Sequence, residues 1–169
     1  MAAFLLGILS VAGRADDIPP GADKPVAVPE VFRQPERGID GSGWYRCSVV
    51  VPAGWNGRAV ELFVEPFDAA VEVIVNGQRV GGAGEFPPRF RSGLGGPDRF
   101  PIPAGLLQAG KPAEIVIRTC LRDGRVGFNV AAPVLFGGDE AIRLAGSWVF
   151  RGGERETGLS FPAIEAVTI

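Results

Sequence analysis

Histidine is absent from this chain of 169 residues, and cysteine (two) and tyrosine (one) are scarce. Without an imidazole there is no Ser-His-Asp set, no Cys-His dyad and no histidine metal cluster. Cys47 and Cys120 offer no Cys-x-x-Cys spacing, so neither a metal site nor a cofactor is expected. An excess of positive charge is missing too: 17 Lys and Arg stand against 19 Asp and Glu, a formal net charge of −2. Nucleic acid is excluded as a partner on that ground, because phosphate binding needs a basic stripe. Arg89, Arg91, Arg99, Arg118, Arg122 and Arg125 do gather in the second half, but Asp98, Glu114 and Asp123 are interleaved with them. The apolar run Phe4–Ala12 falls short of the ~20 residues that cross a bilayer, so no membrane span is expected.

What is abundant is glycine (25), proline (15) and short apolar runs, with 46% hydrophobic residues overall. That mixture suits many short strands joined by tight turns within one domain. In the segment from Ala70, Val71, Val73 and Val75 alternate with Glu72 and Ile74, and Asn76-Gly77 follows as a two-residue hairpin turn. Strands are expected at 44–51, 59–65, 70–76, 78–81, 98–102, 113–120, 126–130, 133–136 and 147–151, with a short one near Ala27–Phe32. Ala104–Gln108 is the one candidate helical turn. Tyr45, Cys47, Val49 and Val51 share a face, as do Val60, Leu62 and Val64, and Ile115 and Ile117 continue the set. The expected fold is all-β, a two-sheet antiparallel jelly-roll sandwich, with a barrel as the alternative.

Residues 1–15 read as a signal peptide: the apolar run ends in small residues at Gly13 and Ala15 before Asp16-Asp17. Export to the periplasm or the extracellular space follows as an expectation. Residues 16–40, studded with Pro19, Pro20, Pro25, Pro29 and Pro35, read as an extended lead-in whose prolines interrupt regular structure. Residues 41–151 form the sandwich, and 152–169 read as a tail or the start of a neighbouring domain. In an oxidising compartment Cys47 and Cys120 could pair in a disulfide; the equal alternative is two buried thiols on different strands.

Several of these stretches have a familiar order. Gly43-Trp44-Tyr45-Arg46, Val51-Pro52-Ala53-x-Trp55, the Ala70–Gly81 hairpin, Ile102-Pro103-Ala104-x-Leu106-Leu107 and Glu114-Ile115-Val116-Ile117-Arg118 together resemble the N-terminal domain of glycoside hydrolase family 2. That domain is a galactose-binding-like jelly roll known as the sugar-binding domain. The resemblance covers about residues 41–137, and the segment 127–151 also resembles exported multi-domain proteins of planctomycete type. It implies a non-catalytic sandwich, since the family's catalytic carboxylates sit on a barrel domain that this chain does not carry. It also places Asp123-Gly124 where the family has a loop aspartate that helps to shape the sugar site.

The function expected is a carbohydrate-binding or domain-docking module of an exported glycan-processing system, with a carbohydrate or a neighbouring protein domain as partner. The alternative is an accessory fragment of a glycoside hydrolase or esterase whose catalytic domain is missing. Sugar binding calls for aromatic faces and planar polar groups, which singles out Phe86, Arg89, Arg91, Asp98, Arg99, Asp123, Arg125 and Asn129, with Trp55 and Phe128 beside them. The loop Glu85–Arg91 is the expected rim of the site; its plainer reading is a proline-braced loop that packs Phe86 and Phe90 on the sandwich. No catalytic residue is named. Glu61, Glu65 and Glu72 alternate with apolar residues and are expected to face solvent, and Arg118 is expected to pair with Asp123 or Glu114. Gly81-Gly82-x-Gly84 follows a strand, but no helix pattern comes after it, so it is not a dinucleotide loop.

Overall fold

The computed structural model describes residues 23–29, 42–121 and 131–152. Ten strands occur among them: β1 (Lys24–Val28), β2 (Ser42–Val50), β3 (Val60–Phe63), β4 (Ala69–Val75), β5 (Gln78–Ala83), β6 (Arg99–Ile102), β7 (Pro112–Leu121), β8 (Val134–Gly137), β9 (Glu140–Arg143) and β10 (Gly146–Gly152). They form a six-stranded sheet of order β1-β10-β2-β7-β4-β5 and a four-stranded sheet of order β6-β3-β8-β9, antiparallel throughout. Most successive strands change sheet, so the chain wraps around a common interior in the manner of a jelly roll. The sandwich is therefore the architecture and the barrel is ruled out.

The core follows the alternation. Tyr45, Leu62, Val73, Ile115, Ile117, Leu135 and Trp148 are almost completely buried between the sheets. The Tyr45 and Phe150 rings stand 5.0 Å apart at 45°, and the Trp148 indole donates to the Leu144 carbonyl at 2.8 Å, which satisfies its N–H inside the core. The opposite alternating set does not simply face water. β4 is buried along its whole length, and Trp44, Ile74 and Val116 form a second apolar cluster on the outer face of the large sheet. Glu72 belongs to that buried outer set, so the expectation of a solvated carboxylate there is corrected. Glu61 and Glu65 are half-buried rather than fully solvated.

Turn chemistry explains the hairpins. Asn76 (φ 46°) and Gly77 (φ 77°) both take the left-handed conformation that a two-residue turn with the strand's twist requires. The Asn76 carboxamide does more: it accepts from the Glu114 N–H at 2.8 Å and donates to the Leu106 carbonyl at 2.7 Å. Three expectations shift. The short strand lies at Lys24–Val28, where Pro25 is tolerated because β1 is an edge strand. The helical turn is a 3-10 turn at Ala53–Trp55, while Ala104–Leu106 is a plain turn. β9 was not expected at all, since Glu140–Arg143 exposes three of its four residues. The expected strand at 126–130, the signal peptide and the tail from 153 lie outside the described residues.

The cysteines do not pair. Cys47 lies opposite Ile115 and Cys120 opposite Ser42 in the β2–β7 register. Five residues of β7 therefore separate them, about 17 Å of strand, against a disulfide limit of roughly 7 Å between Cα atoms. They also point to opposite faces of the sheet. Both are buried and outside any disulfide, and burial pushes the Cys47 thiol far above its ordinary value. Ellman's reagent is accordingly expected to find no reactive thiol in the native protein and two after unfolding, with dithiothreitol leaving the thermal midpoint unchanged. A separate outcome concerns the interior: Leu62→Ala, at a site with 0% exposure, should lower stability in urea titrations by about 2–5 kcal/mol. A loss below about 1 kcal/mol would contradict the packing described for that site.

Candidate ligand cleft

After β5 the chain leaves the sheet at Gly84 (φ 81°), and a narrow loop closes on itself through two backbone hydrogen bonds between Glu85 and Arg91, at 2.8 and 2.9 Å. An added Cβ at Gly84 would come within 2.4 Å of the Arg91 carbonyl, so the crossing tolerates only glycine. The Gly93 N–H anchors the loop base on the Ala69 carbonyl at 2.8 Å. Between this loop and the edge of the large sheet lies an open cleft of ≈ 620 Å³, with Glu72 and Arg79 on one side and Gly84–Arg89 on the other.

The floor of this region is a charge–aromatic cluster. The register puts Trp44, Arg118 and Glu72 in one row across β2, β7 and β4. The Arg118 guanidinium carbon lies 4.9 Å from the Trp44 ring centroid and 4.1 Å from that of Phe86. Such stacking is favourable by about 0.5–2 kcal/mol per contact, more when water is excluded. Glu72 accepts from Arg79 Nε at 2.7 Å and lies 3.8 Å from Arg118 Nη1. Arg118 is thus paired with Glu72, not with Glu114 as the sequence suggested; Asp123 lies outside the described residues. Cross-strand geometry decides this, since opposed residues stand about 5 Å apart.

The expected site residues divide. Phe86 and Arg89 come together in the cleft; Phe86 is half-buried on Arg118, as in the plainer reading of the loop, and Arg89 is exposed with no ion pair among the described residues. Arg91 closes the loop through Glu85 at 2.9 Å. Asp98 is half-buried just before β6, its carbonyl accepting from the Val64 N–H at 2.9 Å. Arg99 stands on the outer face of the other sheet, paired with Glu61 and stacked 4.9 Å from the Phe136 ring and 5.5 Å from that of Phe63. Asp123, Arg125 and Asn129 lie outside the described residues, as does Phe128. Trp55 is 3% exposed, with its N–H on Glu140, so it packs rather than presents a face. The residues that sequence reasoning missed are Glu72, Arg79, Trp44 and Arg118. The available signal was the pairing of the Val-rich strands, which sets Glu72 against Arg118.

Beside this row, Arg46 is almost wholly buried. Its Nη2 donates to Asp23 at 3.1 Å, and Asp23 also accepts from Arg151 Nε at 2.6 Å. Glu114 lies 4.0 Å from Arg46 Nη1. Burial lowers the Arg46 value against the pull of Asp23, and burial raises the Glu114 carboxyl against the pull of Arg46. Among the described residues no group of three or more His, Cys, Asp or Glu side chains is placed to hold a metal, and no helix is long and apolar enough to cross a membrane.

The fold defines an all-β sandwich of two antiparallel sheets. Among solved structures, the crystal structure of a Ruminococcus gnavus beta-glucuronidase is similar: 18% identical, with a TM-score of 0.41, over 71% of this chain and 21% of that one. The chain thus spans about a fifth of that enzyme's length. No protein-family model matches the chain, and no curated protein matches it.

Glu114 yields a pH test. Its folded value is raised, so its contribution to stability is complete below the ordinary carboxylate range and is lost as pH rises through the raised value. Glu114→Gln should remove that dependence. In denaturant titrations from about pH 3 to 8, the wild type should lose stability relative to the variant as pH rises. Parallel curves, or a relative gain for the wild type, would count against it.

Proposed function

We propose that the chain is a non-catalytic binding module of an exported glycan-processing system, with a saccharide as the ligand of the cleft beneath the Glu85–Arg91 loop. The observation that carries this reading is the cleft itself, ≈ 620 Å³ and bounded by Arg79, Glu72, Phe86 and Arg89. A volume of that order suits a small ligand, within the usual range of about 300–1,000 Å³. Paired guanidinium and carboxylate groups present fixed donors and acceptors to hydroxyls, and Phe86 with Pro87-Pro88 gives a rigid apolar wall. The carboxylates at the cleft are both engaged: Glu72 by Arg79 and Arg118, Glu85 by Arg91. A two-carboxylate hydrolase mechanism needs one group free to give a proton and one free to attack or to activate water. Binding is the better account of this arrangement. The ordered motifs that resemble the family 2 sugar-binding domain point the same way.

Docking of a neighbouring domain is the second reading, favoured by the half-exposed Phe63 and Phe136 beside Arg99 on the outer face of the small sheet. The two readings separate by experiment. Calorimetric titration with a panel of oligosaccharides should give saturable binding that Arg89→Ala, an exposed change that spares the core, weakens roughly tenfold. Binding that is unchanged in both Arg89→Ala and Phe86→Ala, or absent at millimolar ligand, would reject the saccharide site.

A further inference from the structure

The small sheet ends at β9, whose one strand neighbour among the described residues is β8. Gly137 and Glu140 flank the two-residue turn Gly138-Asp139, so they form the pair that exchanges both main-chain hydrogen bonds. From there bonded and open pairs alternate along the ladder. Leu135 opposite Ile142 is the next bonded pair, and the Leu144 N–H on the Pro133 carbonyl at 2.8 Å continues the series. Ala141 and Arg143 occupy the positions between, so their N–H and C=O groups point away from β8. Both residues are exposed.

Open edges are usually blunted. β1 carries Pro25 and β6 carries Pro101, each of which removes a main-chain donor, and β5 runs directly into the Glu85–Arg91 loop. β9 has neither proline nor bulge. It is also anchored at both ends. Glu140 accepts from the Trp55 indole at 2.9 Å and pairs with Arg58 at 2.8 Å, and Leu144, just past the strand, is 2% exposed. The edge is thus preorganised for pairing.

Its charges decide what pairs with it. Asp139 and Arg143 flank Ala141 at two positions on either side, both exposed and without a side-chain partner among the described residues. A second copy laid parallel and in register would oppose Asp139 to Asp139 and Arg143 to Arg143, which repels. Laid antiparallel and centred on Ala141, it sets each Asp139 against the Arg143 of the other copy. The small alanines meet at the centre, next to Phe136 on β8, which is half-buried and gains cover. Moving the centre to Arg143 would oppose two guanidiniums. Pairing Glu140 with Arg143 is barred by parity, because Glu140 directs its main-chain groups at Gly137.

We propose that β9 pairs antiparallel with β9 of a second copy about a two-fold axis at Ala141, joining the two four-stranded sheets edge to edge. The contact spans residues 139–143 on each side, well short of the ~1,200 Å² that a standard interface buries, so the dimer forms at high concentration and dissociates on dilution. It is independent of any ligand in the cleft under the Glu85–Arg91 loop.

The test is sedimentation equilibrium of the full chain over a concentration series, with amide hydrogen exchange followed by NMR at the two extremes. The expected result is an average mass that climbs from that of the monomer toward twice that value. Exchange at the Ala141 and Arg143 amides should slow as it does. Asp139→Arg and Arg143→Asp are exposed changes that leave the core untouched. Each should weaken association roughly tenfold, since two symmetry-related pairs turn repulsive, and the double swap should restore it. Thermal midpoints equal to the wild type's establish that the variants are folded; should one melt early, the exchange pattern of the wild type decides alone. A monomer at every concentration up to millimolar overturns the proposal. So does a dimer that the folded single variants leave intact, one that the folded double swap fails to rescue, or one whose protected amides lie outside 139–143.

Discussion

Burial of β4 and β7 on both faces is the constraint from which the rest of the molecule follows. A strand in an ordinary sandwich gives one face to the core and one to water. Here the outer face of the large sheet is also withdrawn from water, yet it carries Arg46, Arg118, Glu72 and Glu114. Removing a charge from water costs several kcal/mol unless it is paired, so the pattern of partners is forced. Arg118 takes two aromatic rings and Glu72; Glu72 also takes Arg79 from the edge strand; Arg46 takes Asp23, which reaches in from the start of β1. The short strand β1 is thereby held to the sheet by charge as well as by its ladder with β10.

That network also shapes the surface. Phe86 lies on Arg118, and this contact tilts the Glu85–Arg91 loop over the sheet so that a cleft remains between loop and edge strand. The loop packs on the sheet and borders the cleft. Phe86 seats the loop on Arg118, as in the plainer of the two readings its sequence offers, and Arg89 is exposed beside the cleft. At the other end the same logic operates with a different device. The Asn76 carboxamide, available because the hairpin needs a residue that tolerates positive φ, doubles as the bracket that fixes the 103–109 turn.

Much of the fold was legible in the sequence because strand alternation and turn chemistry are local signals. Val71, Val73, Val75 and Asn76-Gly77 mark a hairpin whatever surrounds them. What stayed hidden was non-local. Glu72 alternates with valines and reads as a solvent-facing residue; only the pairing of β4 with β7, more than 40 positions on, shows that it faces Arg118 inside a buried row. Cys47 and Cys120 likewise differ in strand parity, and parity has no meaning until the register between β2 and β7 is known. β9 escaped for the opposite reason: as an exposed edge strand, Glu140–Arg143 has no apolar face to announce it. The candidate site followed the same division, with the loop residues Phe86 and Arg89 visible and their sheet partners not.

Among the described residues five glutamates are committed to structural partners. A glycosidase-type pair works by keeping two carboxyl groups in different protonation states across an open bond-breaking site. In this sandwich Glu61, Glu72, Glu85 and Glu140 each hold a guanidinium, and Glu65 accepts from the Ala131 N–H. Their role is to neutralise arginines that the strand pattern places on half-buried faces and loop closures. Freeing one for proton transfer would leave an arginine unpaired at a structural junction, so chemistry at these positions would be gained only at the expense of the fold. Binding makes no such demand.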